Sequence, residues 1–534
     1  MSQSSIKVAL MACACLLLAP LHSSAANDQA LTEVRIGDSK GDWGLPNPYH
    51  HYQRGPGYVR MSWIFDTLIW KDDKGEIPAL ASSWSYDPDT DKYTFRLNPK
   101  AKWHDGKPVT SKDVAFTFAY FKKYPYSWAS VGHVKGVETP DDTTAIVTLA
   151  KPFAPFLSNI AGSMPILPRH IWENVTDPKA FVQPEAFIGS GPYRFKDFNK
   201  TQGSYLFEAF DDYYLGKPLA KRLIYVRTGK PLASLATGQI DVSNIQPDMA
   251  EPLRQKGLAI ISDSFGWNKK LMINHRKAPL NDKRFRQALA WAIDQKELID
   301  KAHQGFGDPA SYGLLPTDHP MYNPATPSYP YSTDKARELL ESLGYVKGAD
   351  GFYAKDGSPL QLEMLASSIT SGGEQRPDRD GEILKKQFEQ AGIRINLVQL
   401  ETSATDARVV KWDFDLAISG HGGLAGDPIA LNDYIRPDVA PSFVNGARYG
   451  DNAELLSLLG AQVTEMDPVK RKEIVYRIQE IYATDLPAIS LYYPASRAAY
   501  NPAKGIRWFF TQGGISGRGI PIPQNKMSLV DRQP

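Results

Sequence analysis

The segment K-W-H-D-G-K-P-V-T at residues 102–110, followed by D-V-A-F at residues 113–116, is the most distinctive stretch of this 534-residue chain. Trp-His-Asp-Gly followed by proline is typical of a strand end, a tight turn and the entry to a helix. At helical spacing behind it stand the apolar residues Val114, Ala115, Phe118 and Phe121. They predict a buried stripe. We therefore expect this segment to have a structural role and not to contact a ligand.

Strand and helix patterns alternate on both sides of this segment. Alternation of polar and apolar residues predicts strands at residues 93–97, 145–149 and 393–397. Apolar residues at helical spacing predict helices at residues 285–293, 336–343 and 474–482. We expect Asn281 or Asp282 to cap the first helix and Ser332 to cap the second, which Gly344 ends. Helices interleaved with strands favour an α/β architecture.

Length, charge and cysteine content exclude several classes of protein. A chain of 534 residues is too long for one compact core, so two or three domains are expected. With 61 Lys and Arg against 59 Asp and Glu, the net charge of +2 gives no general attraction to nucleic acid or to an anionic membrane. The only cysteines, Cys13 and Cys15, lie near the N-terminus, which excludes a disulfide scaffold and a cysteine metal cluster.

The N-terminus has the pattern of an export signal. Lys7 is followed by an apolar run over residues 8–18, and Ser23-Ser24-Ala25 offers a small-residue cleavage site. We expect a signal peptide over residues 1–25 and a soluble exported protein. Acylation of Cys13 or Cys15 is the alternative that would give a lipid anchor, and a buried N-terminal helix is the third interpretation.

Motifs for catalysis, nucleotides or metals are missing or incomplete. No GxxxxGK[ST], HExxH or GxSxG motif occurs. The segment at residues 189–193 imitates a dinucleotide loop but lacks its third glycine, and residues 87–91 imitate a calcium loop without the required glycine and glutamate. We interpret both as turns, and the separate His104, His170 and His319 as structural residues. We therefore expect no enzyme, no cofactor and no resident metal, with an exported hydrolase as the alternative from a different class.

One family shares these landmarks in the same order along the whole mature chain. The shared segments are P-A-L-A-S-S-W at 78–84, Y-T-F-R-L at 93–97, K-W-H-D-G-K-P-V-T at 102–110, G-S-G-P-Y at 189–193, G-Q-I-D-V at 238–242, Asn274, P-L-N-D-K-R-F-R-Q-A-L at 279–289, A-I-D at 292–294 and I-S-L-Y-Y at 489–493. Together they resemble the family 5 extracellular solute-binding proteins, the peptide/nickel-type receptors of bacterial ABC importers. Each motif is modest alone, but their number and order make the resemblance specific.

The resemblance implies a two-lobed, periplasmic-binding-protein-like clamshell of type II, similar to cluster C, with an inserted subdomain. The expected division is residues 27–73, 189–275 and 490–534 in the first lobe, 74–188 in the inserted subdomain and 276–489 in the second lobe. It also implies a periplasmic monomer that closes on a small solute, with a peptide favoured, and docks on an ABC permease in the inner membrane. The permease's own ATPase would power import, so the receptor itself would need no catalytic residue and would bind no nucleic acid.

The resemblance also implies which loops line the ligand cleft. The expected ligand-binding residues are Trp43, Tyr49, His50, Trp267, Asn268, Trp412, His421 and Asp427. Each tryptophan is interpreted either as a stacking surface for the ligand or as core packing. Trp43, in the polar loop beside Gly41, Asp42 and Gly44, is the preferred ligand contact.

The loop at residues 419–428 departs from the pattern of peptide receptors. They place an aspartate in this loop to pair with the peptide's free amine, and the corresponding position here holds Leu424. Asp427 is expected either to replace that aspartate or to cap the helix that begins at Pro428. Without a carboxylate that pairs with its free amine, a zwitterionic peptide loses a charge-assisted contact of ~1.5–3 kcal/mol. An oligosaccharide and a metal chelate held by His421 therefore remain alternative ligands.

Overall fold

The computed structural model describes residues 31–263, 266–367, 369–371, 374–376, 379–439 and 446–532. The expected signal peptide at residues 1–25, with Cys13 and Cys15, lies outside the described residues. Among the residues that are described, no helix combines the length and apolarity needed to cross a bilayer.

The strands alternate with helices along the chain. In chain order the strands are β1 (Leu31–Asp38), β2 (Ile69–Lys71), β3 (Glu76–Pro78), β4 (Ala81–Asp87), β5 (Lys92–Leu97), β6 (Val134–Asp141), β7 (Thr144–Leu149), β8 (Tyr193–Asn199), β9 (Ser204–Ala209), β10 (Lys217–Pro218), β11 (Ala220–Arg227), β12 (Val242–Asn244), β13 (Ala259–Asp263), β14 (Trp267–Ile273), β15 (Gly307–Pro309), β16 (Val346–Lys347), β17 (Tyr353–Lys355), β18 (Ser358–Pro359), β19 (Gln361–Ser367), β20 (Ile369–Ser371), β21 (Glu374–Arg376), β22 (Arg394–Leu400), β23 (Leu416–Gly422), β24 (Ala488–Pro494), β25 (Ser496–Tyr500) and β26 (Val530–Asp531).

The helices lie mostly in the C-terminal half. They are α1 (Gly55–Ser62), α2 (Ser111–Lys123), α3 (Arg169–Trp172), α4 (Pro231–Ala236), α5 (Ala250–Gln255), α6 (Lys283–Trp291), α7 (Gln295–Ala302), α8 (Thr333–Ser342), α9 (Arg379–Gln390), α10 (Thr402–Val410), α11 (Ala430–Ile435), α12 (Ala453–Thr464) and α13 (Pro468–Asp485).

The first lobe is built on a seven-stranded sheet of order β13-β25-β12-β1-β11-β9-β8. Strand β1 lies between β11 and β12 and is parallel to both. Its buried residues Val34 and Ile36 alternate with more exposed ones, as a strand with one face on the core requires. This arrangement gathers the carboxyl ends of three parallel strands at one edge of the sheet.

The inserted subdomain contains the segment on which the sequence analysis began. Its sheet has the order β4-β5-β7-β6, and the turn at residues 87–91 joins β4 to β5 as a hairpin. Trp103 is fully buried, and the His104 ring contacts the backbone of Gly189 and Gly191. Thr110 and Asp113 form a capping box at the start of α2. The structural role expected for this segment is therefore confirmed.

The second lobe is built on a six-stranded sheet of order β15-β24-β14-β23-β19-β22. Helices α6, α8 and α13 pack against this lobe's two clusters of buried residues, as their apolar spacing predicted. The expected caps are present, because Asp282 accepts from the Arg284 N–H and Ser332 accepts from the Lys335 N–H.

The chain crosses between the two large sheets at two neighbouring places. The first crossing connects β13 to β14, and the second consists of Ala495 alone, between β24 and β25. The sequence analysis placed these boundaries at residues 275–276 and 489–490. In the structure the first boundary lies before Trp267, because β14 pairs with β23 and β24 and therefore belongs to the second sheet. The second boundary lies at Ala495, where β24 has ended. Two adjacent crossings of this kind form a natural hinge.

Candidate functional site

Both large sheets present one edge to the crossings. In the first sheet this edge contains the carboxyl ends of β1, β11 and β12, beside the point where β25 begins. In the second sheet it contains the start of β14 at Trp267, which pairs with Gly422 at the end of β23. Ligands of α/β proteins bind outside the carboxyl ends of parallel strands. The candidate site is therefore the space between these two edges.

A cavity of about 130 Å³ lies at the edge of the first sheet. Its lining includes Asp38 at the end of β1, Asn244 at the end of β12, and the side chains of Trp43, Arg60 and Tyr225. Because the cavity combines ring surfaces with polar groups, it suits a ligand that is itself partly polar.

Asp38 organises the wall of this first-lobe cavity. One carboxylate oxygen accepts the backbone N–H groups of Lys40 and Gly41, and the other accepts the Trp43 indole N–H at 2.8 Å and Arg60 Nη2 at 2.5 Å. Burial opposes ionisation of Asp38, but the Arg60 charge and these hydrogen bonds outweigh it and hold the pKa of the carboxyl below its ordinary value. Gly41 has a φ of +83°, and a Cβ there would lie 2.8 Å from the Gly203 Cα. The loop that carries Trp43 is therefore fixed at several points.

Arg60 is buried behind Trp43, with 2% of its side chain exposed. Its Nη1 donates to the Pro56 carbonyl at 3.0 Å, and its guanidinium carbon lies 3.9 Å from the centre of the Tyr225 ring. Arg60 Nε has no hydrogen-bond partner among the described residues. Arg60 was not among the expected site residues, because a single arginine in a short helix gives no signal of its partner Asp38, 22 residues earlier.

Tyr49 and His50 follow Trp43 in the chain but are bonded to the inserted subdomain. The Tyr49 hydroxyl donates to the Tyr124 carbonyl at 2.6 Å. The two ring nitrogens of His50 lie 2.9 Å from Asn47 Oδ1 and 2.8 Å from the Lys179 carbonyl oxygen. These contacts occupy the polar atoms of both side chains.

The edge of the second sheet carries Trp267, Asn268 and His421. Trp267 is 42% exposed, and its ring covers Gly420, where a Cβ would lie 2.4 Å from the indole nitrogen. Asn268 and His421 are paired directly across β14 and β23, on the face of the sheet opposite to Trp267. The structure thus places these three expected residues at the same edge of the sheet, with Trp267 exposed on one face and Asn268 and His421 buried on the opposite face.

Asn268 and His421 are buried polar side chains with unused hydrogen-bonding capacity. Asn268 Nδ2 donates to Ser490 Oγ at 3.1 Å, while its Oδ1 has no partner in the described part of the chain. The His421 ring stacks on Tyr434 with centroids 3.7 Å apart, and neither ring nitrogen finds a partner in the described ranges. Burial and the nearby Lys270 charge hold the pKa of His421 well below its ordinary value. The imidazole is therefore neutral at pH 7.

Lys270 is a second residue that the sequence analysis missed. It follows Asn268 by two positions in β14, so both side chains lie on the same face of the sheet. Burial lowers its pKa to about 7. The signal in the sequence was the pair Lys269-Lys270 inside the apolar strand W-N-K-K-L-M-I, because consecutive lysines are rare in a central strand.

Trp412 lies at the opposite end of β23 from His421. It precedes Leu416, which pairs with Ile273 at the far end of β14. Its ring lies between the guanidinium groups of Arg276 and Arg448, at 3.7 and 4.2 Å. The structure does not bring Trp412 together with the other expected residues.

Asp427 is held in an ion pair and in the turn before α11. Arg471 donates to both of its carboxylate oxygens at 2.7 and 3.0 Å, and the side chains of this pair are each 8% exposed. Asp427 Oδ1 also accepts the Ile429 N–H at 2.9 Å, in the turn that precedes α11. The cap expected for a helix at Pro428 is wrong, because α11 begins at Ala430 with Ile429 in the N-cap position. Leu424, in the position of the peptide receptors' aspartate, is 3% exposed and packs in the core.

The two lobes touch beside Asp427. Ser158 Oγ of the inserted subdomain donates to Asp427 Oδ2 at 3.2 Å, and the Ala154 N–H donates to the Val463 carbonyl at 2.9 Å. Gly426 packs so closely that a Cβ there would lie 2.6 Å from the Gly517 carbonyl oxygen. This contact lies between the lobes and needs no ligand.

A metal site built by the protein alone is not found in the described ranges. No three His, Cys, Asp or Glu side chains come together there in a way that could hold a metal ion. A second cavity, of about 260 Å³, lies within the second lobe and is lined by Tyr312, Tyr322, Ser328 and Tyr329.

Comparison with known proteins gives matches along most of the chain. The family model "Bacterial extracellular solute-binding proteins, family 5 Middle" matches residues 76–439. Heme-binding protein A of Haemophilus influenzae is 27% identical over 465 residues, which cover 80% of this chain and 80% of that protein. The oligopeptide-binding protein AppA of Bacillus subtilis is 27% identical over 436 residues, 76% of each chain. The crystal structure of the ABC transporter substrate-binding protein CtaP from Listeria monocytogenes has a TM-score of 0.77 at 23% identity, covering 91% of this chain and 99% of that one.

Proposed function

The chain belongs to the family 5 bacterial extracellular solute-binding proteins, and we propose that it is the substrate-binding protein of an ABC importer. In this proposal it captures a peptide, or a similar small polar solute, between its two lobes and delivers it to a permease in the inner membrane. It binds its solute without turnover, since the members of this family are solute-binding proteins.

The observation that carries this proposal is the pair of sheet edges beside the two crossings. The first edge offers the cavity lined by Trp43 and Arg60, and the second offers the exposed ring of Trp267, with Asn268 and His421 buried on the opposite face of the sheet. Hinge motion at the crossings would bring both edges onto one solute. A solute that contacts both lobes stabilises the closed state, because only that state completes the contacts.

A peptide is the favoured ligand. The relative AppA of Bacillus subtilis is an oligopeptide-binding protein, and this supports a peptide for the present chain. The Asp427 carboxylate is already shared by Arg471 and the Ile429 N–H. We therefore infer that a bound peptide does not place its amine on this carboxylate.

A metal chelate is the second candidate ligand. The relative from Haemophilus influenzae is a heme-binding protein. In the present chain, both ring nitrogens of His421 are closed to solvent, so this candidate rests on the relative and not on His421.

The proposed site of action is the periplasm. The family is extracellular by description, and the sequence pattern of residues 1–25 predicts export by a cleaved signal. Lipid anchoring through Cys13 or Cys15 is the alternative, and mass spectrometry of the mature N-terminus distinguishes the two.

Identification of the bound solute tests the proposed function. The protein is purified without added ligand and denatured, and the released solutes are identified by mass spectrometry. Thermal unfolding is then measured with each solute, where a true ligand adds stability of RT ln(1 + [L]/Kd). We expect stabilisation by a peptide that is recovered unchanged. Stabilisation by a chelate alone would favour the second candidate, and conversion of the solute would contradict a receptor of either kind.

A further inference from the structure

The first-lobe cavity beside Arg60 has a chemistry that restricts what it can hold. Building on the proposed function, we propose that this cavity is the specificity pocket of the receptor. It takes a neutral side group of the ligand that both donates and accepts hydrogen bonds, such as the primary carboxamide of a glutamine or asparagine.

The hydrogen bonds and the burial of Arg60 leave the ligand no donor on this side chain. Nη1 donates to Pro56 and Nη2 to Asp38, while Nε is buried without a partner in the described chain. A buried N–H without a partner costs free energy, because it has lost its water. Because a water-sized atom does not reach Nε, the ligand has to form its hydrogen bonds with other groups of the cavity wall.

The charge at the cavity wall is already balanced. Asp38 accepts four hydrogen bonds, one of them from the Arg60 cation with which it forms an ion pair. A ligand carboxylate would add a second negative charge next to Asp38, and an ammonium would add a second positive charge next to Arg60. Either charge would be buried without its own counter-ion, so the cavity selects against both.

The remaining polar wall suits a group that donates as well as accepts. The Ser243 hydroxyl donates to the Asn244 carbonyl at 3.1 Å, and its oxygen keeps the capacity to accept. Gln524, which is 6% exposed, lines the same cavity and carries both a donor and an acceptor. An amide NH₂ from the ligand finds acceptors here that a purely apolar group would leave unused.

The size of the cavity limits the group to a few heavy atoms. A cavity of about 150 Å³ holds one benzene molecule of six carbon atoms, and this one has about 130 Å³. A carboxamide on one or two methylenes fits, with its methylenes against Val59 and Trp43, which are part of the lining. Tryptophan and arginine side chains are too large.

The test uses a defined set of tripeptides. Each position of trialanine is replaced in turn by Gln, Glu, Lys or Met, and binding is measured by titration calorimetry. We expect one position at which Gln binds about tenfold more tightly than each of the other three, the size of one good hydrogen-bond contact. Gln and Glu have the same shape, so this pair isolates the effect of charge.

Two variants connect the preference to the cavity. Asn244→Phe places a ring at the exposed lining residue Asn244, and we expect the preference for Gln over Met, measured as the ratio of the two affinities within this variant, to fall below about twofold. Ser328→Phe, in the second-lobe cavity, is the matched control and should keep the preference. Thermal unfolding of each variant shows that it is folded.

The outcomes separate this inference from the proposed function. Peptide binding with no preference for Gln, or with a preference for Glu or Lys, overturns the inference and leaves the receptor function intact. A Gln preference that survives Asn244→Phe also overturns it. If none of the tripeptides binds at millimolar concentration, the peptide-receptor function fails and the inference fails with it.

Discussion

The contacts of Asp38 decide how Trp43 is presented to a ligand. Asp38 holds the indole N–H, the Arg60 guanidinium and two backbone N–H groups at once. Trp43 also donates its backbone N–H to the Tyr205 hydroxyl at 2.7 Å. The ring is thus fixed before a ligand arrives, which lowers the entropic cost of binding.

Replacing Asp38 tests this network. We expect Asp38→Asn to lower the free energy of unfolding by about 3 kcal/mol, because it leaves the buried Arg60 cation without its counter-ion. Urea denaturation at pH 7 measures the change. The control is Asp42→Asn in the same loop, where the carboxylate is 38% exposed and lies 3.8 Å from Lys200. Equal stabilities of the two variants would show that the Arg60 pair is not a major stabilising contact.

Lys270 gives the stability a pH dependence above neutrality. Its pKa is about 7 in the folded protein because of burial, and about 10.4 in the unfolded chain. Between these values the unfolded state binds the extra proton, so stability rises with pH by up to ~1.4 kcal/mol per unit. Below pH 7 both states are protonated and the full cost of burying the charge remains.

Substitution of Lys270 isolates that contribution. We expect Lys270→Met to be more stable than the wild type at pH 7 and to lose the rise between pH 7 and 9.5, as measured by urea denaturation. Lys411→Met, at an exposed position of the same lobe, removes the same charge and should keep the rise.

The other titratable or charged groups near Lys270 in the described part of the chain are His421 and Tyr434, and Asp433 and Arg518 act on the Tyr434 hydroxyl. His421 titrates below this range and the Tyr434 pKa is raised above it by burial. An unchanged slope in Lys270→Met would contradict this account.

For individual residues, the sequence predicts which side chains lie near the cleft better than it predicts the side chains that they contact. The residues Trp267, Asn268 and His421 were expected near the cleft through a family resemblance, and the register of β14 and β23 places them at the same edge of the sheet. The ion pair between Asp427 and Arg471 joins positions 44 residues apart. No local pattern encodes such a contact, because it depends on how α13 packs.

At the scale of elements, apolar periodicity is a good guide where one face of an element is buried. Helices α6 and α8 begin at their expected caps, and α8 ends before Gly344, which has a φ of +86°. Strand β14 was assigned to the wrong lobe, because its partners β23 and β24 lie far away in the sequence. Pairing between distant strands leaves no local signal.

The loop that precedes α11 provides a prediction at this scale. We expect Asp427→Asn to lower the free energy of unfolding by about 3 kcal/mol, since Arg471 is then buried without a counter-ion. The ratio of the affinities for trialanine and for its N-acetyl form should stay unchanged, because Asp427 does not hold the peptide amine. Calorimetry at a temperature where the variant is folded measures this ratio. A ratio that falls to one only in the variant would show that Asp427 is the amine partner.

At the scale of the whole molecule, we expect the contact between the lobes to contribute to the balance between open and closed states. Gly426 approaches the Gly517 carbonyl oxygen, and Ser158 reaches Asp427 across the same interface. We expect these contacts to favour closure without a ligand and thereby to raise the apparent affinity for a solute that needs the closed state.

A methyl group at this interface should disfavour closure. We expect Gly426→Ala to weaken solute binding on the order of tenfold, because its Cβ would lie 2.6 Å from the Gly517 carbonyl oxygen and less of the protein would be closed. Gly460→Ala is the control, since a Cβ there meets no atom within 4 Å. Calorimetry with the co-purified solute measures both variants. Equal affinities would show that this contact does not govern closure.

The central claim is that the two lobes close on a solute, and the distance between labels on the two lobes tests it most directly. The sequence from residue 26 onward has no cysteine, so Lys151→Cys and Glu473→Cys place one spin label on each side of the interface. Pulsed electron resonance gives the distance distribution before and after addition of the co-purified solute. The account predicts a shift to shorter and narrower distances, with the solute recovered unchanged. An identical distribution in the presence of saturating solute, or chemical conversion of that solute, would contradict it.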